Sequence, residues 1–565
     1  MSSENKLVAK PFKSLDELYT GIEHLEPWFD IVKLRESTEY VYSGQELDKN
    51  ITRLAKLTRD RLPRTLVCHD MKGGYLEDKY IDGSDDSESY SFYHWSVIDV
   101  FIYFSHHMIT IPPYGWINVA HKHGVKVLGT IITEHTDGES IWDNILSSYD
   151  ETKRFADALI TLAKFYNFEG WLLNIENKIK PNDVDKLINF VRYLTDSIHR
   201  EIKDSEIIWY DSVTNEGQLK WQNELNDKNE EYFNCCDGIF LNYNWTDGSL
   251  ERSKNLASLR NRVRDVWVGI DVWGRGNPGG GGLNSIYALE KIRKYDLSAA
   301  IFAPGWTHEN FGASTFDKLE IIFWAQLARH LYVHVPIYDN EMIVTSFCHG
   351  VGRKYCRDGV CNLEKPFYNL SLQNIQNSVP VMYLKFVSIN IPTDEENKLK
   401  QDIEKIYETI EEIIKIRGNK ITFEAKEHGE LPNNIKFVDK ASFNGGGCLE
   451  LDTTDVNNYH RLLLIHFEFE TDIQIIVTHR ESEDEPEEPV GKKKIGPTLV
   501  LINETSTSYI ESNTTFELDT KWRESYYIAN MRTITEIGLS LQSKGKHYLG
   551  QIKIHPLTNI LGLSS

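Results

Sequence analysis

Two polar residues, Asn174 and Glu176, end the apolar run GWLLNIE (170–176) and are separated by a single residue. Residues two apart on a β-strand project to the same side, so both side chains would face one space. A glutamic acid can donate and accept a proton during bond cleavage, and an asparagine carbonyl can accept a hydrogen bond from an N–H group. The pair therefore predicts a site that combines proton transfer with the orientation of an amide group in the substrate.

Aromatic and polar side chains also follow most of the other apolar runs in the first three hundred residues. Sugar rings stack on aromatic faces while their hydroxyl groups pair with polar side chains, so this combination predicts carbohydrate as the ligand. For each such residue the alternative role is packing at a strand end. The further candidates are His69, Trp95, Tyr210, Asp211, Tyr243, Trp245, Trp273 and Trp306.

The amide at position 174 departs from the usual glycosidase pattern, in which two carboxyl groups flank the bond that is cleaved. One carboxyl and one amide suit substrate-assisted cleavage, in which the 2-acetamido oxygen of the sugar attacks its own anomeric carbon. Glu176 would protonate the leaving oxygen, and Asn174 would accept the acetamide N–H as the oxazoline forms. The alternative is that both residues only close a strand.

Eight apolar runs must position these residues, and helical periodicity lies between several of them. Near-continuous apolar runs are typical of parallel strands that are buried on both faces. Eight strand–helix units predict a (β/α)8 TIM barrel (an α/β fold) rather than an open doubly wound sheet, with the site at the carboxyl ends of the strands. The runs are TLVCHDM (65–71), IDVFIYFSH (98–106), VKVLGTIITE (125–134), GWLLNIE (170–176), EIIWYD (206–211), GIFLNYN (238–244), VWVGIDVW (266–273) and AAIFAPG (299–305).

The second part of the chain has a different pattern, with many short runs of alternating apolar and polar residues. Such alternation predicts an antiparallel β-sandwich. We expect a catalytic barrel over residues 1–340 and an accessory sandwich over residues 341–565. Within the sandwich we expect one inserted long helix at about 393–417 and a solvated acidic loop at about 481–494.

Charge and hydropathy exclude several classes of protein. The 62 Lys and Arg residues and the 84 Asp and Glu residues give a net charge of −22. A nucleic-acid binder needs a basic surface, and no apolar stretch is long enough to cross a membrane. The first residues do not resemble a signal peptide, so we expect a cytoplasmic protein, and a monomer is favoured.

Neither a metal nor a cofactor is expected. The seven cysteines are scattered and odd in number, as is typical of a reducing compartment. Cys348, Cys356 and Cys361 lack the regular spacing of a zinc site. His121 and His123 precede the third predicted strand, at the end of the barrel away from the site.

The candidate residues resemble the endo-β-N-acetylglucosaminidases of glycoside hydrolase family 85. The family's Asn-x-Glu at the end of the fourth strand matches Asn174 and Glu176, and its Trp-Tyr-Asp segment matches residues 209–211. Trp221 and Trp245 fall where the family has two tryptophans on the acceptor side. The resemblance covers nearly all of residues 40–310, including VCHDMKGGY, VGIDVWGRG and IFAPGWTHE, and extends more loosely to SFCHGVG and FNGGGCLEL.

This resemblance implies hydrolysis of the GlcNAc-β-1,4-GlcNAc bond in the chitobiose core of N-glycans on glycoproteins, glycopeptides or free oligosaccharides. It gives Glu176 the role of acid and then base, Asn174 the orientation of the acetamide, and Tyr210 assistance of oxazolinium formation. It also implies transglycosylation to an acceptor sugar between Trp221 and Trp245. Two alternatives stay open, a catalytically inactive glycan-binding barrel and a chitinase-like hydrolase.

Overall fold

The computed structural model describes residues 7–48, 51–57, 62–362, 365–377, 384–386, 423–425, 435–453, 459–482 and 496–557. The helix expected at 393–417 lies outside the described residues, and so does the acidic loop from residue 483 onward. Among the described residues, no helix is long and apolar enough to cross a lipid bilayer.

Eight parallel strands close into a barrel, as predicted. Each strand pairs with the next one along the chain, and the eighth pairs with the first. The eight apolar runs found in the sequence are these eight strands. They are Thr65–Asp70 (β1), Val100–Phe104 (β2), Lys126–Glu134 (β3), Gly170–Glu176 (β4), Glu206–Tyr210 (β5), Gly238–Leu241 (β6), Val266–Asp271 (β7) and Ser298–Phe302 (β8).

Both faces of the barrel strands are buried, which is why they read as continuous apolar runs. In β1, Leu66 and Cys68 belong to the cluster that fills the barrel, whereas Val67 belongs to the core between the barrel and its helices. The same alternation places Leu172 of β4 and Ile208 of β5 inside the barrel. The inward positions at the carboxyl ends of the strands therefore form the mouth.

Helices cover the outside of the barrel, and local signals set their ends. The helix Tyr149–Tyr166 begins after Ser148, whose hydroxyl accepts a hydrogen bond from the backbone of Glu151 at 3.1 Å, and it ends at Asn167 in the left-handed conformation. Besides this helix, the α-helices of residues 7–330 are Leu15–Ile22, Tyr114–Lys122, His135–Ile145, Val184–Glu201, Glu230–Phe233, Asp247–Ser258, Ser285–Lys294, Trp306–Glu309 and Ala313–Leu327.

Two further sheets pack face to face around one core, which confirms the predicted antiparallel sheets of the C-terminal part. One pair departs from the antiparallel pattern, because Val333–Asp339 runs parallel to Tyr459–Glu468. The first sheet contains Ile51–Leu57, Ser37–Asp48, Val333–Asp339, Tyr459–Glu468, Thr533–Ser540, Thr498–Ile502 and Thr507–Ile510. The second contains Ile435–Val438, Cys448–Thr453, Gly545–Pro556, Ile473–Glu481, Arg523–Ala529, Thr514–Glu517 and Ile343–Thr345.

Two segments do not follow a simple division of the chain into a barrel and a sandwich. Ser37–Asp48, which precedes the barrel, pairs antiparallel with Val333–Asp339, which follows it. Residues 367–377 lie against the barrel, where the Gln373 amide donates to the Ser91 hydroxyl at 3.0 Å and the Lys122 ammonium donates to the Ser371 carbonyl at 2.6 Å. The division of the chain into domains at residue 340 stays a prediction.

Candidate active site

Asn174 and Glu176 lie on the inner face of β4, two and four residues after the inward-facing Leu172. Asn174 is buried, and its amide nitrogen donates a hydrogen bond to Oε1 of Glu176 at 3.2 Å. Because the nitrogen is turned toward Glu176, the amide oxygen points away from that carboxyl. The pair thus presents one proton-transfer group and one hydrogen-bond acceptor to the mouth.

The electrostatic environment raises the pKa of Glu176 above its ordinary value. Burial raises the pKa of this carboxyl, the Asn174 hydrogen bond lowers it, and the neighbouring Glu134 raises it further. Glu134 is the paired residue of Glu176 across β3 and β4. Within the described part of the chain, no Lys or Arg side chain forms an ion pair with Glu176. A raised pKa is what a general acid needs at neutral pH.

Tyr210 ends β5 on the same inner face. Its hydroxyl donates a hydrogen bond to Oδ1 of Asn242 at 3.0 Å. Burial raises the pKa of Tyr210 well above its ordinary value, and the nearby carboxyls of Glu176 and Asp211 raise it further. The hydroxyl of Tyr210 is therefore neutral near pH 7, and the charge of Glu176 acts on it.

Other charged groups complete the rim of the mouth. Nε2 of His106 lies 3.5 Å from Oδ2 of Asp70, whose pKa burial raises. Arg275 donates from Nε to the buried carboxylate of Asp271 at 2.6 Å. Tyr243 packs beside them, with its ring centroid 5.8 Å from that of Phe302. Hydroxyl-rich ligands pair with such groups.

Two tryptophans among the predicted ligand contacts are open to solvent. Trp221 is 40% exposed and Trp273 is 41% exposed. Trp306 is largely buried, with its ring against Gly282, where a β-carbon would come within 3.0 Å of the indole. Of these three residues, Trp221 and Trp273 thus offer the larger aromatic surface to a sugar ring.

Two predicted contacts lie behind the barrel wall. His69 has the outward parity of β1, stacks on Tyr90 with ring centroids 5.2 Å apart, and burial lowers its pKa to about 3. Trp95 comes before β2, at the opposite end of the barrel from the mouth, and is fully buried. Its indole donates to Gln373 at 2.6 Å. The expectation that these two rings face the mouth is corrected, since both pack against the outer core.

Asp211 and Trp245 are buried as well, with their polar atoms engaged by the protein. Trp245 is 3% exposed, and its indole donates to the carbonyl of Gly269 at 2.8 Å. Asp211 is 1% exposed, and its carboxylate accepts hydrogen bonds from the loop that follows Trp221. These contacts fix both residues in the walls of the mouth, and their contact with a sugar stays a prediction.

The sequence analysis missed Asn242, Asn223 and Arg275 as candidate residues. Asn242 lies two residues after the inward-facing Phe240, so the alternation of β6 could have placed it beside Tyr210. Asn223 and Arg275 belong to loops, where no periodicity indicates the direction of a side chain.

Two of the cysteines considered as zinc ligands are bonded to each other. Cys356 and Cys361 form a disulfide across the hairpin Tyr355–Arg357 and Val360–Asn362, so their thiols are not a zinc site. In the ranges that the structure describes, no group of three or more His, Cys, Asp or Glu side chains could hold a metal ion.

Comparison with known proteins identifies the barrel. Residues 75–355 match the family model described as glycosyl hydrolase family 85. The cytosolic endo-beta-N-acetylglucosaminidase of Danio rerio is 44% identical over 364 residues, covering 64% of this chain and 49% of that protein. Its namesake in Homo sapiens is 43% identical over 364 residues, covering 64% and 46%. The chain thus spans about half the length of the curated relatives it matches.

The fold has a counterpart among solved structures. The glycoside hydrolase domain of Endo-D from Streptococcus pneumoniae R6 superposes with a TM-score of 0.69 at 17% identity, covering 97% of this chain and 83% of that chain. At this identity the likeness shows the shared architecture of barrel and sheets. Residues 75–355 are thus similar to glycosyl hydrolase family 85, and the superposition adds the shared fold.

Proposed function

We propose that the chain is a retaining endo-β-N-acetylglucosaminidase that hydrolyses the GlcNAc-β-1,4-GlcNAc bond in the core of N-glycans. The observation that carries the proposal is the Asn174–Glu176 pair at the mouth, with one carboxyl whose pKa is raised and one amide turned by a 3.2 Å hydrogen bond. The names of the similar proteins, which include endo-beta-N-acetylglucosaminidase, support the same activity.

In the first step, the acetamide oxygen of the substrate bonds to its own anomeric carbon while the glycosidic C–O bond breaks. Glu176 transfers its proton to the departing oxygen and becomes a carboxylate. The acetamide nitrogen gains positive charge, and its N–H donates to the amide oxygen of Asn174. The hydroxyl oxygen of Tyr210 assists, since its proton is directed to Asn242 and its lone pairs remain for the developing cation.

In the second step, the Glu176 carboxylate removes a proton from water, and the water oxygen bonds to the anomeric carbon. The bond between the anomeric carbon and the oxygen of the oxazolinium ring breaks, which restores the neutral acetamide, and Glu176 keeps the proton taken from water. Two displacements at one carbon retain the β-configuration. A sugar hydroxyl in place of water gives transglycosylation, and we propose Trp221 as the exposed aromatic surface for that acceptor.

We propose N-glycans on glycoproteins, glycopeptides or free oligosaccharides as substrates, with no metal or cofactor in the chemistry. We also propose a cytosolic location, because the relatives at 43–44% identity carry that location in their names.

A high-mannose glycopeptide is the substrate that tests the proposal. After incubation, mass spectrometry should show the peptide with a single GlcNAc and the released oligosaccharide, and Glu176→Gln should abolish both products. Cleavage of chitin oligomers alone would support the chitinase-like alternative. Glycan binding without turnover, equal in the wild type and in Glu176→Gln, would support the inactive barrel.

A further inference from the structure

The buried carboxylate of Asp211 accepts several hydrogen bonds from the loop that begins at Trp221. The backbone N–H of Gln222 lies 3.1 Å from both carboxylate oxygens, and that of Asn223 donates to Oδ2 at 2.7 Å. The side-chain amide of Asn229 donates to Oδ1 at 3.0 Å. All of these partners are neutral donors, so the carboxylate fixes the loop by hydrogen bonds rather than by an ion pair.

The same loop reaches back to Tyr210 through two amide side chains. Oδ1 of Asn223 accepts from Nδ2 of Asn242 at 2.8 Å, and Oδ1 of Asn242 accepts from the hydroxyl of Tyr210 at 3.0 Å. Together with the bond from Asn223 to Asp211, these contacts form a series of three hydrogen bonds. The amide of Asn242 links the first two bonds, because it accepts from Tyr210 and donates to Asn223. The third bond comes from the backbone N–H of Asn223, so it fixes the position of that residue.

One backbone group fixes the direction of this series. The N–H of Asn244 donates to Oδ1 of Asn223 at 3.0 Å, and a backbone N–H can only donate. The atom of Asn223 that faces Asn242 must therefore be its oxygen, so Asn242 must present its NH2 group there. The oxygen of Asn242 is then left facing Tyr210, whose hydroxyl can only donate to it.

We propose that Asp211 is a positioning residue that directs the hydroxyl of Tyr210 through Asn223 and Asn242 and places Trp221 through the backbone of Gln222. The inference rests on the proposed function, because it concerns how Tyr210 and Trp221 serve that reaction. Asp211 is 1% exposed, and in this proposal it acts on the reaction through the residues that it positions. Two sets of contacts lead away from Asp211. One runs through Asn223 and Asn242 to Tyr210, the preceding residue, and the other runs through Gln222 to Trp221, ten residues further along.

The consequence for catalysis concerns the lone pairs of the tyrosine oxygen. With its proton held by Asn242, the hydroxyl of Tyr210 can present only lone pairs to the developing cation. Without Asn242 or Asn223 the hydroxyl can rotate and present its proton, which would repel that cation. The contacts that lead to Tyr210 therefore act on kcat, whereas those that lead to Trp221 act on the binding of the sugar on the leaving side.

The test is a double-mutant cycle measured with a glycopeptide substrate. Asn242→Ala and Asn223→Ala should lower kcat by up to about 10²-fold with little change in KM, the cost of a small misplacement of a reacting group. In the Tyr210→Phe background, neither change should lower kcat further, because no hydroxyl is left to direct. Asn215→Ala is the matched control, an asparagine between β5 and this loop whose amide donates to the Asp227 carbonyl, and it should leave kcat unchanged.

Asp211→Asn tests the contacts to Tyr210 and to Trp221 at once, so it should lower kcat and raise KM together. Trp221→Ala should raise KM alone. If Asn242→Ala lowers kcat equally in the wild type and in Tyr210→Phe, the effect is general damage and the inference is overturned. Wild-type kcat in Asn223→Ala and Asn242→Ala would overturn it too. Either result leaves the proposed function standing, since that fails only if the wild type does not cleave the glycopeptide or Glu176→Gln does.

Discussion

The two ends of the barrel shift the pKa of a glutamate in opposite directions. Glu176 lies at the carboxyl end of β4, and Glu206 lies at the start of the adjacent strand β5. At Glu206, burial alone would raise the pKa, but Arg64 at 2.7 Å and Lys126 at 2.6 Å outweigh it and lower the pKa to about 2. At Glu176, burial is joined by the like charge of Glu134, so the pKa rises.

The difference teaches how one fold separates stability from chemistry. The amino end of the barrel pairs its carboxylates, as His121 and Glu169 show with a contact of 3.0 Å between Nε2 and Oε2. The mouth leaves Glu176 with an amide partner, Asn174, which orients it without neutralising it. A paired carboxylate stays charged and holds strands together, whereas one without a cation can carry a proton to a substrate.

The largest expected effect is at the mouth. Glu176→Gln keeps the shape and the hydrogen bond to Asn174 but removes the proton-transfer group, so glycopeptide hydrolysis should fall by about 10²–10⁴-fold. The midpoint of urea unfolding should stay at or above that of the wild type, because the half-buried Glu176 has no Lys or Arg ion-pair partner to lose among the described residues. A variant that keeps activity would show that another residue is the acid.

Asn174→Ala should cost about 10²–10³-fold in hydrolysis, the usual effect of losing one hydrogen bond to a charge that develops in the transition state. The variant should still use a preformed sugar oxazoline as a donor, because the step that Asn174 assists is already complete. Product analysis with both donors checks this. Failure with the oxazoline as well would mean that Asn174 does not act by orienting the acetamide.

Glu206→Gln tests the amino end of the barrel. It leaves Arg64 and Lys126 without their shared carboxylate, and breaking a buried pair in this way costs about 3–5 kcal/mol of unfolding free energy. Since the folded pKa is depressed, this stabilisation is present above the ordinary pKa of 4.5 and is lost as the pH falls toward about 2. Urea unfolding at pH 7 and at low pH should show the difference between variant and wild type shrinking. The kcat per folded molecule should not change. A large loss of kcat would contradict the view that Glu206 serves stability and not the reaction.

The smallest expected effect comes from Glu134→Gln, which removes a like charge beside Glu176. The pKa of Glu176 should fall, so the loss of kcat/KM on the alkaline side should move to lower pH by roughly 0.3–0.7 unit, the size of a solvent-screened repulsion. A pH–rate profile of the two proteins measures the shift. Movement toward higher pH would contradict the assignment of Glu176 as the acid.

Periodicity decided what the sequence could predict. The barrel strands are buried on both faces, so apolar runs marked them, and the alternation within GWLLNIE placed Asn174 and Glu176 inward. The side chain of His69 faces outward because it has the parity of Val67, which a list of strand-end residues overlooks. The roles of Asp211 and Asn223 depend on the path of a loop, and the pairing of Ser37–Asp48 with Val333–Asp339 joins segments that no local pattern connects.

The most direct test of the central claim, that the substrate's own acetamide is the nucleophile, is the anomeric configuration of the first product. Proton NMR in the first minutes of glycopeptide hydrolysis, before mutarotation, observes the new reducing end. Two displacements at the anomeric carbon predict the β-anomer. Initial formation of the α-anomer would mean direct attack by water, and the account of Asn174 and Glu176 given above would be wrong.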